Sequence, residues 1–149
     1  MLRTIAYATL VAGTLDILFA IGLSLYFGRE PMAMLRYVAS GPFPPATDMG
    51  TAGSILGLIV HFTLIAIMAA GFVIAARSWP RLFADPIQAG ILYGLVTYVA
   101  MNLLVVPLRF GNWPPTPRSV ATQLFAHILL VGIPIALIVA KKLRPPAIA

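Results

Sequence analysis

The chain has 149 residues, of which 60% are apolar and 9% are charged, whereas a soluble globular domain has about 25% charged residues. This composition excludes a water-soluble monomer, and a mean hydropathy of +0.97 excludes an intrinsically disordered chain. The absence of cysteine excludes disulfide scaffolds, Cys-ligated zinc, iron–sulfur clusters and thiol catalysis. The net charge of +6 is typical of contacts with lipid headgroups, so nucleic acid is not expected as a partner.

Four apolar stretches are long enough to cross a bilayer, since about 20 residues rising about 1.5 Å each span the hydrocarbon core. They cover residues 4–27, 51–76, 87–106 and 119–140. We therefore predict an all-α, integral membrane four-helix bundle, formed by one transmembrane domain over residues 1–149. The first stretch is too long for the apolar core of a signal peptide and contains Asp16, so we expect a retained helix.

The connections between these stretches are rich in proline and glycine. The first contains a short helical pattern over residues 31–39 that begins with Pro31 and predicts an interfacial helix lying on the bilayer. The run Gly41–Pro45 follows it and predicts a stiff extended turn. In the two later connections, Trp79 and Trp113 are predicted to be interfacial anchors.

Lysine and arginine counts predict the orientation. With four crossings, the two termini and the second connection share one side of the membrane. That side contains six Lys and Arg residues: Arg3, Arg77, Arg81, Lys141, Lys142 and Arg144. The other side contains four: Arg29, Arg36, Arg109 and Arg118. Because cytoplasmic loops carry the excess of positive charge, we expect both termini in the cytoplasm.

Small residues predict where the helices pack closely. Two pairs have the spacing of close-approach motifs: Gly53 with Gly57, and Gly90 with Gly94. The two pairs lie at opposite depths, so they cannot contact each other. We expect Ala66 and Ala70 of the second helix to lie against Gly90 and Gly94.

Five polar residues lie within the predicted helices: Asp16, His61, Asn102, Gln123 and His127. At about 1.5 Å per residue from the outer helix ends, Asp16, His61 and His127 lie about 17, 15 and 14 Å deep, and Gln123 and Asn102 about 8 and 6 Å. Each lies on a stripe of small or polar residues, which is typical of helix–helix contacts. The pattern predicts a polar cluster inside the outer half of the bundle.

Several roles are open for this cluster. Asp16, His61 and His127 could hydrogen-bond one another as interhelical packing contacts. They could form a proton or cation site, because histidine titrates near neutral pH and a buried carboxylate needs a charge partner. They could also hold a divalent metal, or His61 and His127 could ligate a b-type haem. Our main expectation is that the protein binds no cofactor. No catalytic triad, phosphate loop or pair of catalytic carboxylates is present, so an enzyme is not expected.

A set of spaced residues resembles a known family. The set comprises His61, Gly71-Phe72, Pro80, Gly90 with Gly94, Asn102, Pro107, Phe125-Ala126-His127 and Lys141–Arg144. It resembles the YagU-like family of small bacterial inner-membrane proteins over residues 61–144. The resemblance implies a multi-helix bundle in the bacterial inner membrane, with His61 and His127 at motif positions. Asn102 stands where a family histidine is expected, and Asp16 lies outside the match.

Two classes of function follow from these observations. The chain is expected to be a non-catalytic accessory or structural subunit that packs within a larger membrane complex or a homo-oligomer, because four short helices enclose little volume. The alternative is a transporter, channel or pH-responsive protein that uses the buried Asp and His residues.

Overall fold

The chain folds into five helices in a computed structural model that describes residues 1–143, and these residues contain no strand. The four long helices are α1 (Leu2–Tyr26), α3 (Gly50–Ser78), α4 (Pro86–Phe110) and α5 (Pro117–Leu143). The short helix α2 (Pro31–Ser40) lies in the first connection. The predicted all-α four-helix bundle is confirmed. Arg144, which entered the charge count, lies outside the described residues.

All four long helices are long and apolar enough to cross a membrane. Large apolar side chains on their outer surfaces are exposed, among them Ile55, Ile59, Ile67 and Ile74 along one face of α3. In a bundle surrounded by water these side chains would be unfavourably hydrated, whereas lipid tails accept them. The chain is a multi-pass membrane protein in contact with the lipid bilayer.

The helices α2, α4 and α5 each begin with a proline, which fits the first helical turn because its missing N–H has no intrahelical partner there. Asp85 caps α4 by accepting hydrogen bonds from the backbone N–H groups of residues 87 and 88 at 3.1 and 3.0 Å. Thr116 caps α5 by accepting from Ser119 N–H at 3.2 Å. These prolines and caps set where the third and fourth membrane helices start.

Two of the long helices contain a π-helical segment, Val99–Val105 in α4 and Ala126–Gly132 in α5. Each segment ends two residues before a proline, Pro107 or Pro134. Proline lacks an N–H and its ring clashes with the carbonyl group four residues earlier, which here lies inside the π segment. The wider turn accommodates the proline, so α4 continues to Phe110, past the predicted end at residue 106.

Helix α1 packs on α3 and α5, and α5 packs on α4, so the helices are neighbours in the order α3, α1, α5, α4. The main apolar core lies between α1, α3, α4 and α5 and includes Ala12, Ile65, Phe72, Val131 and Ile135. Contacts between α3 and α4 are sparser. They include the Tyr93 hydroxyl, which donates a hydrogen bond to Met68 O at 2.6 Å.

The two ends of the bundle differ in what they contain. At one end, which we call the terminal end, Arg77 Nη1 lies 3.0 Å from Met1 Sδ. The Lys142 Nζ atom lies there too, 4.9 Å from the centre of the Tyr7 ring. The N-terminus, the second connection and the last described turn of α5 are therefore together. The first and third connections lie at the opposite end, which we call the loop end.

Helix α2 joins α3 to the end of α4 at the loop end. Ser54 of α3 donates a hydrogen bond to Met32 O at 3.0 Å. At the other end of α2, Arg109 donates to Gly41 O at 2.6 Å and to Ser40 O at 2.8 Å. The carbonyl groups at the C-terminus of α2 thereby gain charged donors, which a helix end lacks by itself.

The extended segment predicted after α2, over residues 41–45, is shorter in the structure. Residues Pro44–Asp48 form a 3₁₀ turn, because the fixed φ of proline suits the first positions of a helical turn. In the third connection, Trp113 is 63% exposed, and in the second, Trp79 is 67% exposed. Both side chains are thus available to the membrane interface, where anchors were predicted.

Candidate functional site

Asp16 and His61 lie side by side between α1 and α3. The His61 Nδ1 atom is 3.8 Å from Asp16 Oδ2, and the Asp16 side chain is 23% exposed. On its other side, the His61 ring donates its Nε2–H to Gly13 O at 3.0 Å. Both contacts depend on the close approach of the two helices at Gly13, where an added Cβ would lie 2.6 Å from the Phe62 ring. The smallest residue therefore sets the geometry of the pair.

The hydrogen bond to Gly13 determines which ring nitrogen of His61 carries a proton. Because a carbonyl oxygen only accepts, Nε2 of His61 carries a proton, and in the neutral ring Nδ1 then presents a lone pair. That lone pair would face an Asp16 carboxylate, which also presents only lone pairs. One proton between Nδ1 and Oδ2 turns this repulsion into an attraction, whichever of the two atoms holds it.

His127 lies in a different network, between α4 and α5. Its Nε2 accepts from Asn102 Nδ2 at 3.1 Å, and its Nδ1–H donates to Thr97 Oγ1 at 3.0 Å. Thr97 in turn donates its hydroxyl proton to Gly94 O at 3.0 Å. Both ring nitrogens of His127 therefore have partners when the imidazole carries one proton, on Nδ1.

The structure divides the predicted cluster into two pairs. It brings Asp16 together with His61, and Asn102 together with His127. Within residues 1–143 no hydrogen bond or ion pair connects His127 to Asp16 or to His61. The four residues therefore form two separate polar contacts, one between α1 and α3 and one between α4 and α5.

Gln123 takes part in neither pair. It is partly exposed and lines a cavity at the loop end, between the end of α1 and the start of α5. Its side-chain amide makes no hydrogen bond within the described residues. The fifth candidate residue thus belongs to a different feature of the bundle.

The four glycines predicted to support helix packing all lie against backbone atoms of another segment. A Cβ at Gly53 would overlap the Ala46 carbonyl, and one at Gly57 would overlap the Leu35 carbonyl. These two glycines therefore contact the first connection, not another membrane helix.

The other two glycines, Gly90 and Gly94, face α5, where added Cβ atoms would lie 2.6 Å from Ile133 Cα and 2.6 Å from Ile128 Cα. The expected partners were Ala66 and Ala70 of α3. The structure instead provides Gly132, whose own added Cβ would overlap the Gly90 carbonyl. A glycine on each helix thus lets the backbones of α4 and α5 contact each other directly.

The geometry also bears on metal and haem binding. Within residues 1–143 no three His, Asp or Glu side chains are grouped as a metal site would require. Both ring nitrogens of His127 are engaged with Asn102 and Thr97, so iron or a divalent metal could bind there only after one hydrogen bond is broken.

Sequence reasoning missed two hydroxyl groups near these pairs. Thr97 supports His127, although residues 97 and 102 are turned by about 140° from each other in a regular α-helix. The π segment accounts for their approach to one imidazole, since its hydrogen bonds span five residues. The sequence feature that could have predicted this segment is the nearby Pro107. Thr9 lies two turns before Asp16 on α1, and its Oγ1 is buried without a hydrogen-bond partner in the described part of the chain.

Comparison with known proteins identifies no relative: no protein-family model, curated protein or solved structure matches this chain. The resemblance to the YagU-like family stays a prediction.

Proposed function

We propose that this multi-pass membrane protein binds a proton, or a small cation in its place, between Asp16 and His61. The observation that supports the proposal is the geometry of the His61 ring. Its Nε2–H is directed to Gly13 O at 3.0 Å, and its Nδ1 faces Asp16 Oδ2 at 3.8 Å. A transporter, a channel or a pH-responsive protein would use such a pair.

Charge explains why this pair is suited to binding and release. With one proton between the two groups the pair is neutral overall, as an ion pair or as two neutral side chains. Without that proton, an unpaired carboxylate is left in a membrane helix, and its insertion costs about 2.5–3.5 kcal/mol at the helix centre. The two states therefore differ enough in energy for proton binding to change how α1 and α3 pack.

The surroundings of Asp16 support exchange with the loop end. Ala20 lies one turn further along α1, about 6 Å from Asp16 along the axis, and it lines the cavity that opens at the loop end. If both termini are cytoplasmic in the bacterial inner membrane, as the lysine and arginine count favours, this cavity opens to the periplasm. A cysteine introduced at Thr47 would then react with an impermeant thiol reagent added to intact cells.

A second candidate is a non-catalytic accessory or structural subunit, within a larger membrane complex or a homo-oligomer. The network of Thr97, Asn102 and His127 favours it, because both ring nitrogens of His127 are hydrogen-bonded inside the chain and the network joins α4 to α5. On this hypothesis the Asp16–His61 pair is a packing contact of about 0.6–2 kcal/mol. Binding of a b-type haem or a divalent metal by His61 and His127 is a lesser alternative, and an enzyme activity is not proposed.

Infrared difference spectroscopy of the reconstituted protein, recorded between acidic and alkaline pH, tests the proton site. The carboxyl C=O band and the imidazole ring bands both change on protonation, so the wild type should show a pH-dependent carboxyl or histidine band that Asp16→Asn removes or shifts. Asp48→Asn removes an exposed carboxylate at the loop end and is the matched control. Identical spectra for wild type and Asp16→Asn would refute the proposal.

A native gel and an absorbance scan of the same purified sample separate the other candidates. A large co-migrating assembly supports the accessory subunit, and a Soret band supports haem. Liposomes loaded with a pH-sensitive dye then distinguish a conducting protein from a sensor. Lumenal acidification that Asp16→Asn abolishes indicates transport or conduction, whereas the infrared change without flux indicates a pH-responsive protein.

A further inference from the structure

A cavity of about 290 Å³ lies at the loop end, between the last turn of α1, the start of α2 and the first turns of α5. Its polar lining comes from cations, hydroxyl groups and an amide, and within residues 1–143 no carboxylate lines it. These residues are Ser24, Arg29, Thr116, Arg118, Ser119, Thr122 and Gln123. A cavity that presents only positive and neutral polar groups is complementary to an anion.

Neither cation has a carboxylate partner in the described part of the chain. Arg29 and Arg118 take part in no ion pair there, although Glu30 is adjacent to Arg29 in sequence; Glu30 instead lies 3.4 Å from Arg36. The Arg118 guanidinium lies 4.8 Å from the centre of the Phe27 ring. Stacking on this ring holds the charge beside the cavity.

The buried floor of the cavity offers an unused polar group. Ser24 is 7% exposed, it lines the cavity, and its hydroxyl makes no hydrogen bond within residues 1–143. Because Ser24 borders the cavity, its hydroxyl can donate a hydrogen bond to a ligand oxygen or a water there. The amide of Gln123 is likewise without a hydrogen-bond partner in the described residues and lines the same cavity.

We infer that this cavity binds a phosphate-type anion. Two guanidinium groups match the oxygens of a phosphate by charge-assisted hydrogen bonds, and the Ser24 hydroxyl and Gln123 amide can donate further bonds. The start of α5 at the cavity adds the partial positive charge of a helix N-terminus. The inference does not depend on the Asp16–His61 proposal, because neither residue lines the cavity.

Two sources could provide such an anion. The cavity lies where α1 ends and α5 begins, at the level of the lipid headgroups, and its remaining lining includes Leu23 and Met34. A phospholipid could place its phosphate between the arginines and its chains along the apolar side chains. A soluble phosphate from the adjacent aqueous compartment would use the same polar groups.

Native mass spectrometry and a thermal shift assay test the inference and separate the sources. Full-length protein in a neutral detergent is mixed either with phosphatidylglycerol or with inorganic phosphate. We expect retained phosphatidylglycerol adducts, a rise in Tm with phosphate, or both. The double variant Arg29→Gln/Arg118→Gln should weaken binding about tenfold or more, and Ser24→Ala about two- to fivefold.

Arg81→Gln is the matched control, because it removes a cation at the terminal end of the bundle. Adducts with lipid alone indicate a headgroup site, and a Tm rise with phosphate alone indicates a soluble ligand. If the wild type binds neither probe, or if the double variant binds as well as Arg81→Gln, the inference is wrong. Ser24→Ala retains both charges, so it tests the site even if the double variant does not fold.

Discussion

The bundle contains two buried histidines in different surroundings. His61 faces a carboxyl group and a carbonyl oxygen, so one of its two partners is an ionisable group. His127 lies between an amide and a hydroxyl, so its contact is complete with one proton and neither partner ionises near neutral pH. The difference teaches that two membrane histidines at similar depth can have chemically different partners, one with an ionisable group beside it and one without.

The backbone around the two pairs differs as well. Asp16 and His61 lie on regular α-helices, and a glycine brings these helices together. Asn102 and His127 both lie on π segments. The wider turns place side chains that a regular helix would separate around one imidazole, which fixes that ring from both sides.

The largest expected effect separates the two histidines. We predict that His61→Gln shifts the pH range over which the Asp16 carboxyl signal changes, because the carboxyl group loses the base that shares its proton. His127→Gln should leave the signal intact, since Asn102 and Thr97 do not ionise. Infrared difference spectra of both variants provide the measurement. A shift of the signal in both variants would mean that the two pairs act as one site.

The next effect tests how the Asn102–His127 pair is held. Gly94→Ala should destabilise the protein by about 1–3 kcal/mol, because the new Cβ would overlap backbone atoms of α5 at His127 and Ile128. Gly22→Ala is the control, since nothing lies within 4 Å of a Cβ built there. Unfolding titrations in mixed micelles measure both variants, and equal stability would contradict the close α4–α5 contact.

A smaller effect is expected from the amide. Asn102→Leu removes the donor to His127 Nε2 and leaves a ring nitrogen unpaired, so the free energy of unfolding should fall by about 0.6–2 kcal/mol. The Asp16 signal should persist unchanged. A fall in stability together with loss of that signal would show that the two pairs are coupled across the bundle.

The smallest net effect is expected at Pro107. With Pro107→Ala, α4 regains an N–H donor and its π segment can become regular, which turns Asn102 away from His127. The lost hydrogen bond lowers the free energy of unfolding and the better helix former raises it. The net change should therefore be less than about 1 kcal/mol. Nitrogen NMR of labelled His127 should nevertheless show that Nε2 has lost its donor. An unchanged Nε2 signal would mean that the proline does not cause the π segment.

The sequence was sufficient to predict the four membrane helices and the approach of Asp16 to His61. Both residues lie on regular helices, where a rise of about 1.5 Å per residue gives depth correctly. The same count of residues from the helix end placed Asn102 only about 6 Å deep, because the third helix was predicted to end at residue 106. Measured from Phe110, Asn102 lies about 12 Å deep (8 residues), close to the roughly 15 Å of His127 measured from Pro117.

The remaining parts of the site depend on backbone features that single residues do not specify. A proline in a membrane helix can end it, kink it or produce a π segment, and only packing against α5 selects the last outcome here. The cavity at the loop end is formed by three chain segments, and its residues are far apart in sequence, as Ser24 and Gln123 show. No helical periodicity brings such residues together.

The bond between Arg109 and the end of α2 has a consequence for synthesis. Arg109 follows Gly41 by 68 positions, so at about 5–20 residues per second it leaves the ribosome roughly 3–14 s later. During this interval the last carbonyl groups of α2 have no arginine donor, and they acquire one only after the third membrane helix has been inserted. The contact between Arg109 and α2 at the loop end therefore forms late, after three of the four membrane helices have been made.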